Sequence, residues 1–302
     1  MHEIPKMQEV GAILVLGVKG ILLKLLEAAI ASPSIALEEI PLQRTKDFRR
    51  VQYISAIALK LAHLWQQPAI EVATQLAAKC QKENENIGFL SKENFTIEVL
   101  PSGMILFELT DVSVAAWLQY LTDTPQTLEK RESQIKSASV ESDRIFPVQY
   151  SHARCCSLLR LADRDRIIEL VERDRQTSLA PWQIINPNPI PWLNSNNRLR
   201  LIHPAELNLI SQLFTTLDTL ASLFNGGFEK PLITNKSTDW LKLANTLSDT
   251  FQTFYSQCRI WGEVKTETPK LAQARLGLIL ATQTLLQFIL QELLGIIAPL
   301  EL

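Results

Sequence analysis

FPVQYSHARCCSLLR, residues 146–160, is the stretch on which the reading of this chain turns. From Pro147 onward the apolar residues recur at helical spacing. Tyr150, His152 and Arg154 stand at this helix start. A tyrosine there can stack an unpaired base, and an arginine can hold a phosphate or stack in its turn. The competing reading is local: Tyr150 packs between helices, and Arg154 caps a helix or pairs with a nearby acid.

Working outward, helical periodicity covers 148–176, 204–224, 238–258 and 269–294. The third of these helices starts at a Ser237/Asp239 cap signal, and its Phe251 and Phe254 fall at core spacing. Tyr255, Arg259 and Trp261 follow near its end, an aromatic and basic interleave suited to unpaired bases. The last helix is apolar nearly all round from Leu276 to Leu294, so it is expected at the centre of a bundle, stopped by Gly295 and Pro299. One irregular insert, residues 180–200, is rich in Pro and Asn and carries Trp182 and Trp192. Large aromatics in such a segment either fold back onto the bundle or anchor a partner. The run RLADRDRIIELVERDR at 160–175 alternates charge sign and reads as a solvated, salt-bridged face.

Before that stretch the pattern changes. Residues 8–31 and 51–82 carry helical periodicity, the second with Ile54, Ala58, Leu61, Ala62 and Leu64 on one face, and Pro68 opens a further helix. PSIALEEIPLQRTKDFRR between them reads as strand and loop. FTIEVLPSGMILFELT is two alternating runs around Pro101-Ser102-Gly103, a hairpin signal. Residues 122–145 hold almost no large apolar side chains and read as a linker. The expected architecture is therefore mainly α: a small α+β domain over 1–121, the linker at 122–145, and an all-α bundle over 146–302.

Composition narrows the function classes. With 302 residues, 46% hydrophobic and 21% charged, the chain can bury a sizeable core. The apolar run at 10–31 is broken by Lys19, Lys24 and Glu27, so it is expected to be a buried or amphipathic helix and no membrane insertion is expected. Cys80, Cys155, Cys156 and Cys258 form no C-x-x-C pair, which suits free buried thiols in a reducing cytoplasm. The net charge is −2, and the chain holds 15 basic and 18 acidic residues before Tyr150 against 15 and 14 from it onward. Neither half attracts nucleic acid by charge alone, which leaves recognition through shape and a few stacked loop bases. No cluster predicts a metal site or acid–base chemistry, and no cofactor is expected.

Residues 147–154 resemble the run, close to VQYAHARICSI, that leads arginyl-tRNA synthetases into their anticodon-binding domain. Pro147, Val148, Gln149, Tyr150, His152, Ala153 and Arg154 carry the match. LANTLSDTFQTFYSQCRIWG at 243–262 is similar to the family's LAQAFNSFYNECPVLG, and the chain's end is similar to the family's terminal helix. More weakly, YISAIALKLAHLWQQPAIEVATQLAAK at 53–79 resembles the additional N-terminal domain of these synthetases, through Tyr53, Ala58, Leu61, Ala62 and Pro68. In the family that domain holds the tRNA elbow, which implies an RNA role for Tyr53. The family's polar Asn in its GFINF-type strand is replaced here by Leu106, and its Gly-Asp by Val51-Gln52.

The sequence contains no H-x-G-H element, no K-M-S-K-S-like loop and no G-x-x-x-x-G-K-[ST] motif. A class I synthetase uses the first two to stabilise the charge that develops during adenylation. The polar segment at 122–145 stands where the family places its catalytic domain. The resemblance thus implies two tRNA-handling modules without aminoacylation: a tRNA binder acting through Tyr150, His152, Arg154, Tyr255, Arg259, Trp261 and Tyr53. The alternative is a protein-interaction scaffold that has reused the fold, with Trp182 and Trp192 as anchors.

Overall fold

The computed structural model describes residues 7–30, 37–84, 95–123, 142–172, 182–225 and 236–302, with backbone alone for 7–16, 38, 83–84, 142–143, 222–225 and 236–238. The chain divides into two units, Met1–Val114 with Phe214–Pro231, and Ala115–Leu213 with Leu232–Leu302. Two of the three boundaries fall inside helices, so that α4 (Asp111–Asp123) and α6 (Pro204–Asn225) each contribute residues to both units; the third lies outside the described residues. The expected linker at 122–145 mostly lies outside the described residues, but its two ends are helical, the last turn of α4 and the start of α5 (Ser142–Arg164).

The first unit is built on a four-stranded antiparallel sheet in the order β1 (Leu42–Arg44), β2 (Gln52–Ser55), β4 (Ile105–Leu109), β3 (Phe95–Val99). The hairpin expected from the alternating runs is β3 and β4, with Ile97 opposite Phe107 and a turn closed by Gly103 N–H on the Leu100 carbonyl at 2.8 Å. Gly103 has φ +80°, and a Cβ there would stand 2.8 Å from the Ala69 Cβ, so the position requires glycine.

One assignment needs correction. The helical periodicity expected from residue 51 gives way to strand β2, because Tyr53 and Ser55 are buried while Gln52 and Ile54 are half-exposed, a period of two that pairs with strands on both sides. Helix begins only at α2 (Ile57–Trp65), which buries Ile57, Ala58 and Leu61 and leaves Leu64 exposed. Gln66, in the left-handed region at φ 54°, ends it before α3 (Ala69–Asn84).

Two further helical segments complete this unit. Helix α1 (Met7–Ile30) is kinked at Gly17 (φ 58°), where a Cβ would meet Asp218 Oδ1 at 2.9 Å. The kink frees the Lys19 N–H to donate to Asp218 Oδ1 at 2.9 Å, and Tyr53 Oη donates to Asp218 Oδ2 at 2.6 Å. Arg44 adds a bond to Thr215 Oγ1 at 3.1 Å and lies over the rings of Tyr53 and Phe214. The C-terminal part of α6 is thus fixed into the first unit through Phe214, Thr215 and Asp218.

In the second unit, α9 (Pro269–Phe288) is the central helix: every residue from Ala274 to Leu290 is buried, as its all-round apolar sequence requires. It is the one helix among the described residues long and apolar enough to cross a membrane, and 83% of that window is buried inside the protein. Helices α5 and α7 (Lys236–Gln257) pack on it and on each other. The start of α6 is a capping box: Ala205 N–H donates to His203 Nδ1 at 3.2 Å, and His203 N–H donates to Glu206 Oε2 at 2.8 Å. The other Glu206 oxygen accepts the Arg275 Nε–H at 2.6 Å, a buried ion pair that joins α6 to α9.

The expected all-α character of this unit is broken in one place. Helix α5 stops at Arg164 rather than continuing to 176, with Arg166 at φ 58° and the Ile167 N–H on the Ala162 carbonyl. The chain then forms β5 (Glu169–Glu172), which pairs antiparallel with β6 (Trp182–Asn186) from the irregular insert. The acids of 160–175 serve this corner: Asp163 accepts the Leu170 N–H at 2.8 Å, and Asp165 accepts from Trp261.

Trp192 is buried, with its indole N–H on Gln119 Oε1 at 2.9 Å. A Cβ at Gly277 would lie 2.3 Å from the Trp192 ring. Replacing Gly277 with alanine is therefore expected to cost about 1–3 kcal/mol through overpacking, read as a lower denaturation midpoint at unchanged m-value.

Candidate nucleic-acid interface

The motif at 146–160 sorts its side chains by helical position. Phe146, Tyr150 and Arg154 are four residues apart and form one outward stripe on α5, whereas Val148, His152, Cys155, Cys156 and Leu159 are buried. Phe146 is 56% exposed and Tyr150 45%, and their rings stack on each other with centroids 6.4 Å apart at 28°. Two accessible aromatic faces in succession form a platform on which a base can be laid.

One turn further on, Arg154 is held by α7. Its guanidinium lies 4.9 Å from the centroid of Tyr255 and also donates to the Tyr255 hydroxyl. Tyr255 is itself stacked on the buried Phe251, centroids 6.3 Å apart at 20°. Gln252 donates to Ser151 Oγ at 3.0 Å and ties the two helices below this pair. Arg154 is thus a cation fixed in one orientation beside an aromatic platform, with less rotamer freedom to lose on meeting a phosphate or base.

His152 has a different task, and its proposed RNA contact is corrected. It is fully buried and has no surface to offer a ligand. Its Nδ1 lies 2.8 Å from the Pro299 carbonyl, which can only accept, so Nδ1 carries the proton and Nε2 accepts from the Gln283 amide at 2.9 Å. Burial holds its pKa below the usual histidine value. Gln149 donates to the Ile297 carbonyl at 2.9 Å and Arg160 to that of Leu300 at 3.2 Å. Gln149, His152 and Arg160 together fasten the C-terminal segment along α5.

The remaining expected residues divide. Arg259 is exposed just beyond α7, with its carbonyl fixed by Arg275. Trp261 is part-exposed, its indole N–H on Asp165 Oδ2 at 2.9 Å, and Lys265 approaches the same oxygen at 3.7 Å. Tyr53 belongs to the other unit and is wholly buried with its hydroxyl on Asp218, so direct RNA contact through it is also corrected. Of the two expected partner anchors, Trp192 is a core residue, and Trp182 is part-exposed with Arg160 6.0 Å from its ring. Phe146 was missed, although its place four residues before Tyr150 is readable from the spacing.

All four cysteines are free and buried, and burial pushes Cys156 up to about 12 and Cys258 to about 11. Among the described residues no group of three or more His, Cys, Asp or Glu could hold a metal.

The chain belongs to the DALR anticodon binding domain family, which it matches over residues 148–302. It is similar to the arginine–tRNA ligase of Moorella thermoacetica, 34% identical over 156 residues, covering 51% of this chain and 22% of that protein. The arginine–tRNA ligase of a Synechococcus species is 30% identical over 152 residues, covering 50% and 21%, and that of Gloeobacter violaceus 27% over 192 residues, covering 63% and 28%. The chain spans between a fifth and a third of the length of these relatives. No solved structure matches it.

Proposed function

We propose that the second unit binds the anticodon arm of a tRNA, an arginine tRNA in the first instance, and that the chain acts as a non-catalytic accessory or competitor in cytoplasmic translation. The observation that carries this reading is the exposed Phe146–Tyr150 platform beside an Arg154 already clamped by Tyr255; Tyr150, Arg154 and Tyr255 lie within the residues that match the anticodon-binding family, and Phe146 just before them. Unpaired bases are recognised by stacking on aromatic and arginine planes, and a near-neutral protein can do this where a general phosphate binder could not. Arg259 and Trp261 extend the same chemistry past the end of α7. The absence of adenylation motifs from the sequence supports the non-catalytic half of the reading.

The test is a mobility-shift titration against arginine tRNA and an unrelated tRNA at about 0.15 M salt, because phosphate contributions are interpretable only at a stated ionic strength. The reading expects preference for arginine tRNA and no charging when ATP and arginine are supplied. Equal, salt-limited binding to both tRNAs, or measurable aminoacylation, would overturn it.

The rival reading, a scaffold for a protein partner, loses one of its two anchors to the core because Trp192 is buried on Gly277.

A further inference from the structure

A second place in the same unit calls for a ligand. A cleft of about 550 Å³ opens between the segment before α6 and the corner joining α8 (Glu263–Glu267) to α9. Its volume is in the range of small-ligand sites. Arg200 and Asn194 line one wall, Glu267 and Lys270 the other. Arg200 lines this open cleft with its charged guanidinium, whose Nε–H is itself shielded from solvent and has no hydrogen-bond partner. Asn194 Oδ1 already accepts the N–H groups of Asn196 and Arg198, which leaves its amide N–H groups to donate. Thr268 Oγ1 is turned to the Val264 carbonyl and does not cap α9.

The donors thus outnumber the acceptors, and the charges count two cations against one carboxylate. A site with one net positive charge suits a monoanion. A phosphodiester inside an RNA strand carries one negative charge, whereas a terminal phosphate monoester carries nearly two at neutral pH and would meet Glu267 as a repelling group. The rest of the lining is apolar, including Leu199 and Ile202, the latter 76% exposed, which accommodates a ribose or a base edge.

We infer that this cleft binds an internal phosphodiester of the RNA strand, with the Arg200 guanidinium and Lys270 as its cations. The inference rests on the RNA reading above and adds a second attachment point to it.

The experiment follows the Arg200 Nε–H and the Lys270 amide by ¹H–¹⁵N NMR in the full chain, titrated with dimethyl phosphate, with cytidine monophosphate and with arginine tRNA. In parallel, tRNA affinity is measured against salt for the wild type, Arg200→Met, Lys270→Met and Glu267→Gln. Selective shifts with dimethyl phosphate over the monophosphate are expected. Arg200→Met and Lys270→Met should each weaken tRNA binding about 5-fold and lower the slope of log affinity against log salt by about one, and Glu267→Gln should strengthen binding about 2-fold. Retained NMR shifts with no tRNA binding would keep the phosphodiester site and sink the RNA reading. Tight tRNA binding with both resonances unmoved and the salt slope unchanged in Arg200→Met would overturn the inference while leaving that reading in place.

Discussion

Tyr150→Ala is expected to weaken binding of arginine tRNA by about 10-fold or more, since loss of one base–aromatic stack costs about 1–3 kcal/mol. The substitution removes a ring that is 45% exposed and buries nothing essential, so the folded state should lose well under 1 kcal/mol. Arg154→Met should act comparably on binding, because it removes the cation while preserving the alkyl stem. Tyr255→Phe isolates the clamp: it deletes the hydroxyl that accepts from Arg154 and retains the ring beneath the guanidinium. A binding loss of a few-fold in Tyr255→Phe that vanishes in the Arg154→Met background would show that the hydroxyl acts through Arg154. Equal losses in both backgrounds would mean that Tyr255 meets the RNA independently.

The second large effect is on stability and belongs to His152. His152→Ala leaves the Pro299 carbonyl and the Gln283 amide without their partner and opens a cavity against α9, for an expected loss of about 2–4 kcal/mol. The wild type carries a pH signature of the same interaction. The folded pKa lies below the unfolded value of 6.5, so the unfolded chain binds more protons between the two. Stability from this site is complete above pH 6.5 and declines as pH falls toward the folded pKa, by up to about 1.4 kcal/mol per pH unit. Asp218 in the other unit has the opposite sign. Burial raises its pKa above the usual 3.8, so its contribution is full below that value and declines as pH rises through the folded pKa. Chemical denaturation at pH 5 and pH 7, in wild type and His152→Gln, checks the first claim. Loss of the acid-side decline in the variant is expected, and an unchanged decline would assign it elsewhere.

Much of this architecture could be read from residues alone, and the exceptions have physical causes. An all-round apolar run from Leu276 to Leu294 can be stable only at the centre of a bundle, which is where α9 lies. Pro101-Ser102-Gly103 between alternating runs left little besides a hairpin. Residues 52–55 were misread because a short strand followed at once by a helix blends a period of two into one of 3.6, and the pairing that decides between them comes from β1 and β4, distant in sequence. The length of α5 was overestimated because the residues that stop it, Asp163 to Ile167, do so by tertiary packing and a left-handed Arg166 rather than by glycine or proline.

The site itself was half legible. His152 and Arg154 differ by two residues, and on a helix that places them on different faces, one toward α9 and the C-terminal segment, the other toward α7 and solvent. The apolar spacing of Val148, Cys155 and Leu159 already put His152 inside, a signal available in the sequence. That Tyr255 clamps Arg154 depends on the packing of α5 against α7, which no local pattern encodes. The same holds for Trp192, whose burial rests on the absent side chain of Gly277, 85 residues away.

The most direct test of the central claim is a nuclease footprint of the full chain on arginine tRNA. The account predicts protection concentrated in the anticodon loop, lost in Tyr150→Ala. Protection confined to the acceptor stem, or an anticodon-loop footprint unchanged by that substitution, would contradict it.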